Sequence, residues 1–395
     1  MRIALLSPGS RRWVAGSLYL HNIIRALRLL PEQEQVALDL FARAGSGIDE
    51  TAELGDYAPR RHVYAYRSSW PFWKKAAGVA LSIRDGKSPH RLENLVKQCN
   101  ADVLFPATMT SLGSKFPVPW IGWIPDFQHK YLPEFTSPAA RASRDRQMAT
   151  LISEAAYVVV SSNDALRDLE RWFPHSQGHT TVLHFPTVAD PKWYELEPQL
   201  PALPEKFLAF PSQFWVHKNH RVLFEAIRLL RDDGVKDIAL VCTGYEGDPR
   251  APSHFGELKR WVHQHSLEQQ IVFLGLLPRA HQIQIVRRAV ALVQPSLFEG
   301  WSALVEDART LGKRIYLSDL PVHREQDPPD AVFFDAHAAE QLAAVIARDW
   351  TQLRPGPDPE RERQAFAEQT ERARHFARTF LAILDKVLGR EPARV

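Results

Sequence analysis

Short, uniformly apolar runs alternate along this chain with longer segments whose apolar residues recur every three or four positions. In the first half, runs rich in Val, Leu and Ile end at turn residues and predict buried strands at 2–6, 36–42, 101–107, 119–125 and 156–162. The segment 18–30 has helical spacing. Apolar strands separated by helices are typical of a parallel sheet that is covered on both faces. The pattern therefore predicts an α/β protein.

The same alternation starts again after a proline-rich interval. Strand-like runs occur at 206–212, 237–244, 271–277, 289–296, 314–319 and 331–335, and helical segments lie between them at 219–231, 255–266, 280–289 and 303–312. We predict two Rossmann-like domains, at 1–185 and 207–357, joined by a linker at 186–206. A family resemblance carried by residues of the second half implies that the first domain binds the acceptor and the second the sugar nucleotide. A charged helical segment follows at 358–395, and its packing back on the first domain is left open.

Composition narrows the classes of function. The chain has 395 residues, which is more than one ordinary core holds, and a formal net charge of only +3, which does not argue for nucleic acid. Its two cysteines, Cys99 and Cys242, give no disulfide framework and no metal-ligand spacing. No stretch approaches the ~20 apolar residues of a membrane helix, and the N-terminus is too short for a signal peptide. These features predict a cytoplasmic protein.

The segment 294–325, QPSLFEGWSALVEDARTLGKRIYLSDLPVHRE, combines a buried strand, a polar loop and a helix. The helix is predicted to start near Ala303 with Ser302 as its N-cap. Ligands of open α/β sheets bind at the carboxyl ends of strands, and a helix N-terminus attracts phosphate. Gly300 lets the backbone approach such a group, and Glu299 beside it can accept hydrogen bonds from sugar hydroxyls. A solvated strand–turn–helix is the simpler interpretation of a lone Glu-Gly turn.

The whole segment resembles the signature of the family-4-type retaining glycosyltransferases of group 1, which have the GT-B fold of two Rossmann-like domains facing each other across a cleft. The resemblance implies that Glu299 contacts the donor sugar and that the loop through Trp301 binds the donor. It also implies an acidic residue on the nucleotide ribose eight positions later, which is Asp307 here, with Glu306 before it. At ~100° per residue, Asp307 falls at the edge of the buried helix face and Glu306 almost opposite it. We therefore assign the ribose to Asp307 and expect Glu306 to be solvated.

The segment 207–230 is predicted to form a strand, a loop and a helix. The resemblance places Lys218 where the family has a basic residue that neutralises the donor diphosphate. A fixed cation there would stabilise the negative charge that grows as the nucleoside diphosphate leaves. The family usually has an Arg five residues earlier, where this chain has Gln213.

Two further candidates lie in the predicted first domain. Gly16 and Ser17 follow the first strand, where the family has a glycine-containing loop that approaches the donor phosphates. Asp126 and His129 follow the strand at 119–125, where a related family loop carries a His or an acidic residue near the anomeric centre. We assign the donor sugar to His129 and the acceptor hydroxyl to Asp126; an exposed helix start is the alternative for His129.

The segment 67–84 interleaves three aromatic with four basic residues. This composition fits peripheral contact with the inner face of an anionic membrane or with a lipid-linked acceptor. A surface helix whose aromatic residues pack on the domain is the alternative interpretation, and the observation leaves both open.

The resemblance implies a retaining hexosyltransferase that moves a sugar from a GDP-mannose-like or UDP-sugar donor to a glycan or lipid-linked acceptor, in bacterial surface polysaccharide assembly. The sequence contains no Asp-x-Asp pair that could hold a divalent cation on the diphosphate, so we predict a metal-independent enzyme without a cofactor other than its donor co-substrate. Three alternatives remain: an inverting transferase on the same fold, a sugar-nucleotide epimerase, and a sugar-nucleotide-binding protein without turnover.

Overall fold

The structure is a computed structural model and describes residues 1–8, 14–43, 54–57, 59–64, 91–195 and 200–391. It divides into two compact units. The first consists of Met1–Pro125, Ala139–Phe185 and Arg372–Val395, and the second of Asp126–Pro138 and Pro186–Glu371. The chain therefore crosses between the units several times.

The first unit is built on a parallel sheet of order β3-β2-β1-β4-β5-β6-β7. Its strands are β1 (Arg2–Leu6), β2 (Ala37–Arg43), β3 (Arg60–Tyr64), β4 (Val103–Thr108), β5 (Trp120–Ile124), β6 (Tyr157–Val160) and β7 (Thr180–Val182). The second unit has a parallel sheet of order β10-β9-β8-β11-β12-β13. Its strands are β8 (Leu208–Pro211), β9 (Leu240–Thr243), β10 (Ile271–Phe273), β11 (Ala291–Gln294), β12 (Ile315–Ser318) and β13 (Ala331–Phe334).

Helices connect these strands. They are α1 (Val14–Arg28), α2 (Leu92–Gln98), α3 (Gln128–Tyr131), α4 (Pro138–Glu154), α5 (Asn163–Trp172), α6 (Lys192–Glu195), α7 (His220–Asp232), α8 (His254–Gln264), α9 (Arg279–Arg288), α10 (Ala303–Thr310), α11 (Pro321–Gln326), α12 (Ala339–Trp350) and α13 (Pro359–Val387). None of them, within the described part of the chain, has the length and hydrophobicity that crossing a bilayer requires.

The predicted fold class is confirmed, since both units are parallel sheets with surrounding helices. The central strands coincide with the apolar runs because they are buried on both faces: all four residues of β8, β9, β11 and β12 are buried. Two strands were not predicted, namely β3 and β7, which lie at the two edges of the first sheet. None of their residues is buried, so neither strand produces an apolar run.

The predicted linker packs against the second unit. Trp193 belongs to the hydrophobic core of that unit, and its carbonyl accepts hydrogen bonds from Gln284 and Arg287. Burial of the indole and these polar contacts hold this part of the proline-rich interval against the core of the second unit. The assignment of 186–206 as an interdomain linker stays a prediction.

The tail is a single long helix, α13. The structure assigns it to the second unit up to Glu371 and to the first unit from Arg372. In the first unit, Phe380 contacts Phe105 at 5.1 Å between ring centroids, and Arg378 forms an ion pair of 2.9 Å with Glu34.

Candidate active site

The strand order of the second sheet reverses between β8 and β11. The chain adds β9 and β10 on one side of β8 and then β11, β12 and β13 on the other side. Loops that leave the carboxyl ends of the two central strands diverge at such a point and leave a crevice, which is where open α/β sheets bind ligands. The loops at 212–219 and 295–302 are the two that meet here. We call these loops, with Gln294 at the end of β11, the switch-point site.

The loop after β8 ends in a 3₁₀ turn, Val216–Lys218, followed by Asn219 in the left-handed conformation with φ 58°. Asparagine tolerates this conformation better than most residues. The Asn219 side chain donates to the carbonyls of Pro295 at 3.0 Å and Ala336 at 2.7 Å, and it thereby ties three loops together. The Leu297 amide also donates to the His217 carbonyl at 2.8 Å. These bonds fix the register of Lys218 against the second loop.

The loop after β11 leads into α10, which begins at Ala303 with Ser302 as its N-cap, as predicted. The Ser302 hydroxyl accepts from the Val305 amide at 3.3 Å, and its carbonyl accepts from the Gln326 side chain at 3.0 Å. The cap uses the Val305 amide, so the amides of Ala303 and Leu304 are the ones without a partner inside α10 that can face an anion. Gly300 and Trp301, half-buried, lie immediately before this cap.

Lys218 and Glu299 form an ion pair at the centre of the site. Lys218 Nζ lies 2.6 Å from Glu299 Oε1, and their side chains are only 16% and 9% exposed. The Gln294 side chain donates to the same carboxylate oxygen at 2.6 Å. These two donors orient the Glu299 carboxylate. One of them, Lys218, lies 81 positions from Glu299 in the sequence. Lys218 and Glu299, which the resemblance assigned separately to the donor diphosphate and the donor sugar, thus lie in contact with each other.

Two buried histidines flank this pair. Burial, assisted by the charges of Lys218 and Arg250, holds the pKa of His217 well below its ordinary value, so its neutral ring accepts from Arg250 Nη2 at 3.2 Å. Burial also lowers the pKa of His323, whose Nδ1 lies 2.8 Å from the Ser318 carbonyl. Neutral rings add no positive charge of their own to that of the Lys218 ammonium group and the Arg250 guanidinium.

Gln213 lies in the first loop, close to Gly244. A Cβ atom on Gly244, which has φ 151°, would lie 2.1 Å from the Ser212 carbonyl oxygen and 3.0 Å from Gln213 Cα. Only glycine permits this approach of the loop after β9 to the loop after β8. The backbone at Gln213 is therefore held in place at the carboxyl edge of the sheet.

The adjacent acids of α10 differ from the prediction. Glu306 is fully buried and accepts from Gln326 Nε2 at 3.0 Å, so the expectation that it is solvated is wrong. Asp307 is also buried and holds Arg279 in a two-point ion pair at 2.5 and 2.9 Å. Helical phase failed here because α11 covers one side of α10 and the chain near Thr187 covers another.

Asp307 also anchors the start of the second unit. Its Oδ1 accepts from the Thr187 hydroxyl at 2.8 Å. The Thr187 carbonyl in turn accepts from Thr310 at 3.2 Å and from Gln369 at 2.8 Å. A carboxylate with three protein donors has little capacity left for a ribose hydroxyl. The structure thus gives Asp307 a structural role that the sequence did not indicate.

Asp126 and His129 belong to the second unit rather than to the first. Asp126 accepts from the Gln128 amide at 2.9 Å, and His129 is buried, which excludes the exposed alternative. The segment packs against the Glu299 loop, because the rings of Tyr131 and Phe298 lie 5.4 Å apart. The short helix α3 therefore places His129 close to the switch-point site. The contact of His129 with the donor sugar stays a prediction.

Gly16 and Ser17 do not lie in a loop. They belong to the first turn of α1, which begins at Val14, four residues before the predicted start of the helix, and both are buried. The apolar spacing used to find the helix begins only at Leu18, which explains the difference. The aromatic-basic segment 67–84 lies outside the described residues.

Three residues that shape the site were not predicted: Gln294, Asn219 and Thr187. Gln294 and Asn219 had a signal, since each is a polar residue at the end of a strand or at the start of a helix within a segment already selected. Thr187 had none, because its three partners are 120, 123 and 182 positions away.

Comparison with known proteins places this geometry in a class. The family model of glycosyl transferases group 1 matches residues 194–365, which contain the whole switch-point site. Among curated protein sequences, none matches this chain. The match lies within the second unit, and the predicted resemblance to the glycosyl transferases of group 1 is confirmed over residues 194–365.

Solved structures match the chain over nearly its whole length. HepE of Anabaena, in a complex with UDP and glucose, is 16% identical with a TM-score of 0.66, covering 98% of this chain and 100% of that one. Sucrose-phosphate synthase of Thermosynechococcus elongatus is 15% identical with a TM-score of 0.68, covering 98% and 99%. The lipopolysaccharide galactosyltransferase WaaB is 14% identical with a TM-score of 0.57. At these identities the matches show the fold, which is GT-B.

Proposed function

We propose that the protein is a retaining glycosyltransferase that transfers a hexosyl group from a nucleoside diphosphate sugar to a glycan or lipid-linked acceptor. The observation that carries the proposal is the buried ion pair of Lys218 and Glu299 at the switch point, next to the capped N-terminus of α10. A cation and helix amides suit a diphosphate, and a carboxylate suits sugar hydroxyls. The diphosphate and the sugar of a sugar nucleotide thus find complementary groups within one crevice.

Lys218 would neutralise the diphosphate. Negative charge grows on the leaving phosphate as the glycosidic bond breaks, and a preorganised cation in a water-poor crevice stabilises that charge. The hydrogen bonds of Asn219 hold the end of this loop in place before the donor binds, so little reorganisation is required. Binding of the diphosphate would draw Lys218 away from Glu299 and release the carboxylate for the sugar.

Glu299 would hold the sugar. Its carboxylate is oriented by Gln294, which remains a partner when Lys218 turns to the diphosphate. Retention follows if the acceptor attacks from the face on which the diphosphate departs, with the departing phosphate accepting the proton of the acceptor hydroxyl. His129 would contact the donor sugar from the segment that packs against Phe298, and Asp126 would position the acceptor hydroxyl.

The donor is proposed to be a UDP-sugar, with a GDP-mannose-like donor as the second possibility. HepE, which has the same fold, binds UDP and glucose, and this supports the uridine nucleotide. The galactosyltransferase WaaB acts on the lipopolysaccharide outer core, which supports a role in bacterial surface polysaccharide assembly with a lipid-linked acceptor. No cofactor other than the donor is proposed, and no metal at the donor site.

The deciding experiment is a transfer assay with UDP- and GDP-sugars, in which the anomeric configuration of the product is read by NMR. We expect release of the nucleoside diphosphate and a product with the configuration of the donor. An inverted anomer would reject retention. Binding of both nucleotides without any donor turnover, hydrolysis included, would favour a sugar-nucleotide-binding protein, and a change of the sugar while it stays on the nucleotide would favour an epimerase.

A further inference from the structure

Three side chains with metal-ligating atoms converge in the first unit, far from the switch-point site in sequence and in a different sheet. They are Asp39 in β2, His62 in β3 and Cys99 at the end of α2, and their ligand atoms all lie within 4.8 Å of one another. We call them the amino-edge cluster, because Asp39 lies near the amino end of its strand, in register with the first residue of β3. Active sites of such sheets form at the opposite edge.

The distances within the cluster suit a small tetrahedral cation. Cys99 Sγ lies 3.4 Å from His62 Nε2, and Asp39 Oδ1 lies 2.7 Å from the same nitrogen. Tetrahedral zinc with Zn–S of ~2.3 Å and Zn–N or Zn–O of ~2.05 Å separates sulfur from nitrogen by roughly 3.5 Å and nitrogen from oxygen by roughly 3.3 Å. The nitrogen–oxygen distance must open, which rotation of the His62 or Asp39 side chain allows. The sulfur–oxygen distance, which is within 4.8 Å, must come to roughly 3.5 Å.

The surroundings hold two of the three groups in place. Arg2 Nη1 donates to the other carboxylate oxygen of Asp39 at 2.7 Å, which leaves Oδ1 directed at His62. The His62 ring stacks on Phe41 at 4.9 Å between centroids. Ligating carboxylates are commonly hydrogen-bonded by a second group in this way. The Asp39 carboxylate is 1% exposed and the His62 side chain 10%, so the cluster is largely shielded from water.

A nucleophilic triad is the other use of a Cys, a His and an Asp. In such a triad the thiol and the carboxylate contact opposite nitrogens of the imidazole, so that the ring can pass a proton. Here Asp39 and Cys99 both approach Nε2 most closely, and Cys99 Sγ is 3.9 Å from Nδ1. A thiol and a carboxylate that approach the same imidazole nitrogen fit a shared metal ion better than a proton relay.

We propose that Asp39, His62 and Cys99 bind a zinc ion, with water as the fourth ligand. A mixed sulfur, nitrogen and oxygen set favours Zn²⁺ over Mg²⁺ and Ca²⁺, which take oxygen ligands. The ion would displace the thiol proton of Cys99 and the hydrogen between His62 and Asp39. The ion would link β3 to the neighbouring strand β2 and to α2. Because β3 is an edge strand without a buried residue, this link would hold it in place. The proposed role is therefore structural.

Cobalt substitution tests the proposal, because a thiolate bound to Co²⁺ gives a near-ultraviolet charge-transfer band and four-coordinate Co²⁺ gives intense visible bands. Cys242 is the only other cysteine and is fully buried in β9 of the second unit. In Cys242→Ala protein, any thiolate band must come from Cys99. We expect that variant to keep the band, to saturate at one equivalent of Co²⁺ and to lose the cobalt bands when Zn²⁺ is added.

Ligand variants complete the test. Cys99→Ala should abolish the charge-transfer band and weaken Zn²⁺ binding by at least ~100-fold, while Arg2→Ala, which removes only the outer contact, should weaken it by ~10–100-fold. Circular dichroism of each metal-free variant shows whether it is folded. Absence of the band in the Cys242→Ala protein would overturn the proposal, and so would equal Zn²⁺ affinity in the folded Cys99→Ala protein and the wild type.

Discussion

The switch-point site and the amino-edge cluster are both small groups of polar side chains at the edge of a parallel sheet, but they arise in different ways. Lys218 and Glu299 come from loops that follow the two central strands of their sheet, at 2.6 Å from each other. Asp39, His62 and Cys99 come from an outer strand, an edge strand and a helix end. The first arrangement follows from a general property of the fold, and the second from contacts particular to this chain.

This difference implies different consequences of mutation. Groups at the switch point meet a ligand that arrives and leaves, so their loss should change binding and turnover more than stability. Groups that contact only protein or a resident ion should change stability and leave the chemistry intact. Four predictions follow from this contrast, ordered by expected size.

The largest effect is expected for Asp307→Ala. This change leaves the Arg279 guanidinium, whose side chain is 15% exposed, without its two-point partner. Removing one member of a buried pair typically costs ~3–5 kcal/mol. Urea unfolding should show this loss, and Asp307→Ala combined with Arg279→Leu should recover part of it because no charge is then stranded. A raised donor constant with unchanged stability would instead support the ribose contact that the resemblance implied.

Glu299→Ala should lower the transfer rate by ~10²–10³-fold, since it removes a contact made to the reacting sugar. Binding of the nucleoside diphosphate should be kept or tightened, because Lys218 loses the competing carboxylate. Steady-state kinetics and calorimetry measure the two quantities. Glu340→Ala, which removes an exposed glutamate of α12, is the matched control and should behave as wild type. A Glu299→Ala enzyme with normal turnover would remove Glu299 from the proposed mechanism.

Lys218→Ala should weaken binding of the nucleoside diphosphate by roughly 10- to 100-fold, because a hydrogen bond to a charged group contributes ~1.5–3 kcal/mol. Binding of the unphosphorylated nucleoside should hardly change. Calorimetric titration of both ligands makes the comparison, with the exposed Lys236→Ala as control. Equal weakening for the two ligands would mean that Lys218 does not meet the diphosphate.

Saturating EDTA should leave the rate of transfer unchanged. The proposed donor site uses Lys218 and the start of α10 in place of a metal. The same treatment should lower the melting temperature of zinc-loaded protein, because an ion that binds the folded state stabilises it. Both are measured on one sample. Loss of transfer that Mg²⁺ or Mn²⁺ restores, and Zn²⁺ does not, would contradict the metal-free donor site.

Much of the fold was predictable because the central strands of both sheets are buried on both faces. Residues 291–294 and 315–318, for example, form uninterrupted apolar runs apart from their last positions. The two strands that were missed, β3 and β7, lie at the sheet edges, where polar residues are tolerated. Because His62 lies on β3, the amino-edge cluster was missed with the strand.

The amino-acid sequence by itself determined the α/β class, the two Rossmann-like units and the Ser302 cap, and it placed Lys218 and Glu299 in loops that follow two strands. These features depend on local patterns and on a fold that places the carboxyl ends of its central strands side by side. Only the tertiary structure decided the rest: the burial of Glu306 by Gln326, the anchoring of Thr187 by Asp307 and the meeting of Asp39, His62 and Cys99. These contacts join residues 20 to 120 positions apart in the sequence. Helical phase specifies only the direction of a side chain, whereas the packing of distant segments decides which residues it meets.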